Sequence, residues 1–190
     1  MKPAAIGKLW QLQPGLCPCD LDFVNYLRAR GITGQRIFHF GSGGHHLVGR
    51  ENSMSSPNYI LGITASCAEY MAYSSIVSNR PQIARHYKVI LGDIYDLNFL
   101  LLPMFDIVTL FHLCEYYWSD DKYQPMLDDY RLLGSFLSII KANGMVIFYR
   151  GSDHYERARE IIDVYKQTRQ IELFEESRSL IVYRRTNAGH

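Results

Sequence analysis

Apolar residues recur along the chain in two periods, and the alternation between them predicts the elements. In "LDFVNYLRARG", Leu21, Phe23, Val24 and Leu27 fall at helical spacing and Gly31 follows as a terminator, which predicts a first helix. "RIFHF" then has strand character and breaks abruptly into "GSGG". The polar "HHLVGRENSM" supports only a short helical or irregular segment. "NYILGIT", "HYKVILGDI", "FDIVTLFHL" and "MVIFYR" predict four more strands, of which "FDIVTLFHL" is the longest continuous apolar run, as for a strand buried on both faces. Between them, "ASCAEYMAYSSIVSNR" reads as a helix halted by Pro81. "PMLDDYRLLGSFLSIIKANG" reads as another, with Pro125 near its start and Asn143-Gly144 as its C-terminal cap. A helix over "YERAREIIDVYKQTR" leads into two alternating runs in "IELFEESRSLIVYRR", a terminal antiparallel hairpin.

Strands alternating with helices predict an α/β fold, a mostly parallel sheet covered on both faces, with ligands outside the carboxyl ends of the strands. That places candidate chemistry at 41–46, 64–65, 93–94, 111–115 and 150–154. A length of 190 residues suits one domain, read as a tail over 1–20 and a single domain over 21–190. The formal net charge of +1 gives no field that would draw the chain onto nucleic acid or an anionic membrane. "MKPAAIGKLWQLQPG" lacks the apolar run of a signal peptide, and Pro103 and Asp106 interrupt "FLLLPMFDIVTLFHLC", so a soluble, cytoplasmic protein is expected.

The glycine turn after "RIFHF" has the properties of a ligand loop: Gly41 and Gly43 let backbone approach a ligand and expose N–H groups to it. A dinucleotide fingerprint would need glycine at position 46, which is His46, and no Gly-Lys-Ser/Thr phosphate-loop ending is present. From about Asp20 to Arg185 the chain resembles the class I S-adenosylmethionine (SAM) dependent methyltransferases. In that family the first strand ends in an acidic-x-Gly-x-Gly-x-Gly loop. "HFGSGGH" matches at Gly41 and Gly43, with Ser42 between them, but has His39 for the acid and His45 for the third glycine. "LGDIYDL" matches the family's Gly-Asp-hydrophobic adenine signature at Asp93 and Ile94. "FDIVTLFHL" matches its buried fourth strand, and "IIKANGMVIF" its helix-to-strand step. The resemblance implies a Rossmann-like sandwich with a seven-stranded, mostly parallel sheet ending in an antiparallel hairpin. It also implies SAM as cofactor, held by His39, Gly41, Ser42, Gly43, Thr64, Asp93, Ile94 and Phe111.

Three departures bear on binding. Thr64 stands where the family has an acid for the ribose hydroxyls, which weakens binding by roughly 1–3 kcal/mol, about 5- to 150-fold, unless Ser66 or Glu69 compensates. His45 is strained if its position needs positive φ. His39 cannot supply a constant negative charge. Methyl transfer asks mainly for alignment, with a base where the acceptor is N–H or O–H. His112 is the first candidate base and His154 the second, followed by Glu115 and Tyr149; Tyr116, Tyr117 and Trp118 are as readily packing as an acceptor wall. His39, His45, His46 and His112 would converge near Cys114 and Glu115, but no His-x-x-x-His or CxxC pair accompanies them, which favours polar pocket lining over a metal site. "CPC" (Cys17, Cys19) falls one residue short of CxxC and reads as a turn in the tail. The sequence therefore points to a SAM-dependent methyltransferase acting on a small-molecule acceptor. A methyltransferase fold reduced to a binding or scaffold role is the alternative, and a metal- or nucleotide-binding α/β protein is a third reading.

Overall fold

The computed structural model describes residues 1–2, 6–52 and 56–186. Seven strands form one sheet: β1 (Arg36–Phe40), β2 (Tyr59–Thr64), β3 (Tyr87–Leu91), β4 (Phe105–Thr109), β5 (Ile140–Tyr149), β6 (Ile171–Ser177) and β7 (Leu180–Arg185). Their order is β3-β2-β1-β4-β5-β7-β6, with the first five parallel and β7 antiparallel to both neighbours. The helices are α1 (Cys19–Ala29), α2 (Leu47–Glu51), α3 (Cys67–Asn79), α4 (Asp129–Ile139) and α5 (Tyr155–Gln167). This is the doubly covered parallel sheet with a closing hairpin that the residue pattern predicts. Among the described residues no helix is long and apolar enough to cross a membrane.

Alternation along each strand divides the core in two. Phe38, Val108, Val146, Phe148 and Ile181 face α4 and α5, where they meet Leu132, Leu133, Phe136 and Ile162. Ile37, Ile107, Ile147 and Val182 face the other way, onto Phe23, Val24 and Leu27 of α1 and Tyr73 of α3. Because β1 is paired on both edges and covered on both faces, its last four residues are all buried, His39 among them.

The helix before β5 departs from expectation at both ends. Asp128, whose side chain accepts from Arg131 N–H at 2.7 Å, caps its start, three residues after Pro125. It ends at Ile139, and Asn143-Gly144 lies inside β5. The reason is in the ladder: Phe105 pairs with Ile140, then Ile107 pairs with Met145, so residues 141–144 loop out while Asn143 adopts φ 61°. A left-handed Asn-Gly suits such a bulge as well as a helix cap. β4 is shorter than the apolar run, since the chain turns after Thr109. On β6, the register slips between Leu173 and Glu175. Of the "HHLVGRENSM" segment, Leu47–Glu51 is helical and residues 53–54 lie outside the described residues.

Gly49 in α2 shows how closely one helix is seated. A β-carbon there would lie 2.1 Å from Tyr87 Cδ1, and Tyr87 is itself fully buried. Gly49→Ala is expected to destabilise the chain by about 1–3 kcal/mol through overpacking. Urea denaturation checks this, and an unchanged midpoint would show that Tyr87 yields freely.

Candidate functional site

The carboxyl ends of β1, β2, β4 and β5 converge on a cavity of about 450 Å³. Gly41 (φ 85°) and Gly43 (φ 55°) line it in left-handed conformations that a side chain would strain. The strain expected at His45 falls instead on His46, at φ 47°. His46 is an internal residue: Nε2 donates to the Glu69 carbonyl at 2.8 Å, so Nδ1 accepts from the Tyr87 hydroxyl at 2.7 Å. Burial pushes its imidazole below the usual histidine range, which keeps it neutral.

Both acids that the strand ends lack are present in space, supplied by helices. At the end of β2, Thr64 Oγ1 donates to Glu69 Oε2 at 2.5 Å and accepts from Ser66 N–H at 3.0 Å. Ser66 caps α3, and Ser-x-x-Glu is the spacing of a capping box. Here the Glu69 carboxylate turns away from the cap, toward Thr64 and toward Trp10 N–H at 3.3 Å, and lines the cavity. Burial raises its carboxyl, with the Thr64 hydrogen bond opposing. At the end of β1, His39 Nδ1 meets Thr109 Oγ1 at 2.8 Å while Nε2 faces Asp20 Oδ1 of α1 at 3.5 Å. Asp20 is buried, and its Oδ2 has no hydrogen-bond partner among the described residues. Burial would raise the Asp20 carboxyl, but the neighbouring His39, with His45 and His112 beyond it, outweighs burial and holds it low; His39 Nε2 itself has no hydrogen-bond partner among the described residues. His45, whose imidazole burial pushes down, stands 3.8 Å from Asp20 Oδ2.

The N-terminal segment crosses the mouth of the cavity. Gly44 N–H donates to the Trp10 carbonyl at 2.7 Å and Ser66 Oγ to the Lys8 carbonyl at 2.7 Å. Cys17 and Cys19 are thereby brought against His112, 3.8 Å from Nε2 in each case and 3.3 Å from each other. The "CPC" turn, which the spacing alone assigned to a tail, is part of the cavity wall. Glu115 Oε1 meets His112 Nδ1 at 2.9 Å and accepts from Ser152 Oγ at 2.5 Å. A hydrogen bond from Cys19, joined by that of His112, pulls the Cys17 thiol down to about 5 against burial. The Cys19 thiol is pushed up by the same contact and by burial. Burial would lower His112, but hydrogen bonds to Cys17 and Glu115 raise it to about 10. Burial would likewise raise Glu115, and His112 holds it below the usual carboxylate range. The arrangement sets two thiols against an imidazole that a carboxylate orients, and its hydrogen bonds favour the charged forms of Cys17 and His112.

Of the residues selected from sequence, Gly41, Gly43, Thr64, His112, Glu115 and Tyr149 share the cavity wall. His39 lies beneath it, Ser42 is buried against Gly62, and Phe111 is buried between Phe23 and His39. Ile94 belongs to the core. Asp93 Oδ1 caps the Tyr95 N–H, and Oδ2 is taken by the Met1 ammonium and the Tyr123 hydroxyl. His154 is exposed at the head of α5. Asp20, Cys17 and Cys19 were not selected. An acid in the first turn of a helix was the only local sign of Asp20, and nothing local announces contacts across 95 residues of sequence.

Neither a protein-family model nor a curated protein matches the sequence. Solved structures do match the fold. A chain described as a putative SAM-dependent methyltransferase from Methanococcus maripaludis superposes with TM-score 0.63 at 11% identity, over 92% of this chain and 88% of that one. Magnesium protoporphyrin IX methyltransferase (ChlM) from Synechocystis, solved with bound SAM, gives 0.62 at 11% identity over 89% and 79%. The [4+2]-cyclase SpnF gives 0.59 at 16% identity over 89% and 64%. The chain therefore has the class I SAM-dependent methyltransferase fold, a fold that chains named for different reactions share.

The buried neutral His46 generates a pH dependence. Its folded pKa lies below the unfolded value of 6.5, so the unfolded chain binds the extra proton between the two. Stability is expected to fall as pH drops below 6.5 toward the depressed value, and part of that slope should vanish in His46→Asn, which tolerates left-handed φ. Denaturation midpoints across this range test it; an identical slope in the variant would remove His46 as a source.

Proposed function

We propose that the chain is a SAM-dependent methyltransferase, with the cofactor across the glycine loop and the end of β2. One observation carries the reading: the left-handed glycines and a buried carboxylate at the end of β2 open into the same cavity, although the carboxylate comes from Glu69 and not from the strand. The site fits such a cofactor on its donor set. Gly41 and Gly43 leave no β-carbon above the loop, and Glu69 with Thr64 offers a carboxylate and a hydroxyl to a diol. The sulfonium, when bound, supplies an electrophilic methyl group.

The rest of the wall has the work of alignment. Tyr149 and His112 border the acceptor side, and their rings stand 6.1 Å apart at 65°. Hydrogen bonds to Cys17 and Glu115 favour the protonated form of His112, which makes it a poorer base than its position suggests. His154, outside the cavity wall, serves no step here. The size of the cavity and the N-terminal segment across its mouth favour a small-molecule acceptor.

Calorimetry with SAM and S-adenosylhomocysteine is expected to show binding, and Glu69→Gln to weaken it by about 10- to 150-fold, the value of a charge-assisted bond. A folded sample that gives no heat at millimolar ligand would sink the proposal. Binding without turnover over a broad acceptor panel would favour the non-catalytic reading of the same fold.

A further inference from the structure

Cys17 Sγ, Cys19 Sγ and His112 Nε2 form the one group of three metal-ligating atoms that lie within 4.8 Å of one another among the described residues. Their separations are 3.3, 3.8 and 3.8 Å. A tetrahedral zinc ion with bonds of about 2.3 Å to sulfur and about 2.0–2.1 Å to nitrogen requires ligand-to-ligand edges of about 3.5–3.8 Å. The two sulfurs need to part by about half an ångström and each to close on the nitrogen by about a quarter of an ångström. Each ligand is held from behind. Cys17 N–H donates to the Gln13 carbonyl at 2.8 Å, and Cys19 is buried in the first turn of α1. His112 is fixed through Nδ1 by Glu115, which Ser152 holds in turn. A carboxylate on the far nitrogen is how zinc-binding histidines are oriented and made more basic. All three residues line the cavity, as does Asp20, whose Oδ1 accepts from Cys19 Sγ at 3.7 Å.

We propose that Cys17, Cys19 and His112 bind one zinc ion at the cavity wall, with the fourth coordination position open to the cavity. Two thiolates and one neutral imidazole cancel the charge of the divalent ion. Sulfur selects a thiophilic cation over magnesium or calcium. Three protein ligands with one open vertex is the pattern of reactive zinc centres, whereas structural sites close all four. The site does not depend on SAM: the metal alone is its ligand. His112 is then held as a ligand and gives up the proton-carrying role that it has without the ion.

The test is metal uptake by the freshly reduced, chelator-stripped protein. Zinc titrated against a chromogenic chelator is expected to bind at one ion per chain. Cobalt(II) is expected to give thiolate-to-metal charge-transfer absorption and the intense visible bands of four-coordination. The Cys17→Ser/Cys19→Ser double variant should lose both signals, while Cys67→Ser keeps them. Glu115→Gln, which leaves every ligand in place, should lower zinc affinity by about 10- to 100-fold. Far-UV circular dichroism establishes that each variant is folded. The proposal is overturned if the folded wild type takes up zinc no more tightly than the double variant, or if its cobalt spectrum is six-coordinate without thiolate bands. It is equally overturned if tight uptake persists without Cys17 and Cys19. Because no cofactor is present, failure of SAM binding leaves these outcomes unchanged.

Discussion

A histidine on a dry central strand is the constraint from which the site follows. β1 is hydrogen-bonded along both edges and covered on both faces, and His39 within it has no exposed surface. An imidazole there cannot look to water and must find partners in the protein. Thr109 supplies one from the neighbouring strand; the other nitrogen makes no hydrogen bond among the described residues and stands 3.5 Å from the Asp20 carboxylate of α1, a charge contact. Seating Asp20 fixes the first turn of α1 above the end of β1, which sets Cys19 and then Cys17 on the cavity. The buried ring and the first turn of α1 that carries Cys19 thus meet through Asp20.

The same logic explains how the fold keeps a ligand-ready edge without the usual strand-end acids. Negative charge has moved from strands to the first turns of helices, Asp20 on α1 and Glu69 on α3. An acid is at home there because the helix N-terminus favours it. What matters to a ligand is the position of the carboxylate, and the two routes deliver it to the same side of the sheet.

This also accounts for what the sequence made legible. The pattern placed "RIFHF" as a β-prone apolar run, which β1 buries on both faces, and "YERAREIIDVYKQTR" by the single face it buries. Periodicity misplaced Asn143-Gly144, since the left-handed residue that caps a helix also forms a bulge. Gly41, Gly43 and Thr64 could be placed at the carboxyl edge of the sheet because that position follows from local chain direction. Cys17, Cys19 and Asp20 could not, since their meaning lies in His112 and His39, far along the chain. Ser66-x-x-Glu69 held usable information: the spacing set Glu69 over the start of α3, beside the end of β2.

The N-terminal segment carries a kinetic consequence. Trp10 meets Glu69 across 59 residues and Cys17 meets His112 across 95, so these contacts close large loops after little local reward. Within the sheet most neighbouring strands lie closer in sequence, but the central β1–β4 pair also closes a large loop, with Ile37 opposite Ile107. By loop-closure cost alone, the contact of Cys17 with His112 is among the more expensive to form, so completion of the cavity wall is expected to lag the pairing of β6 with β7, whose strands are neighbours in sequence.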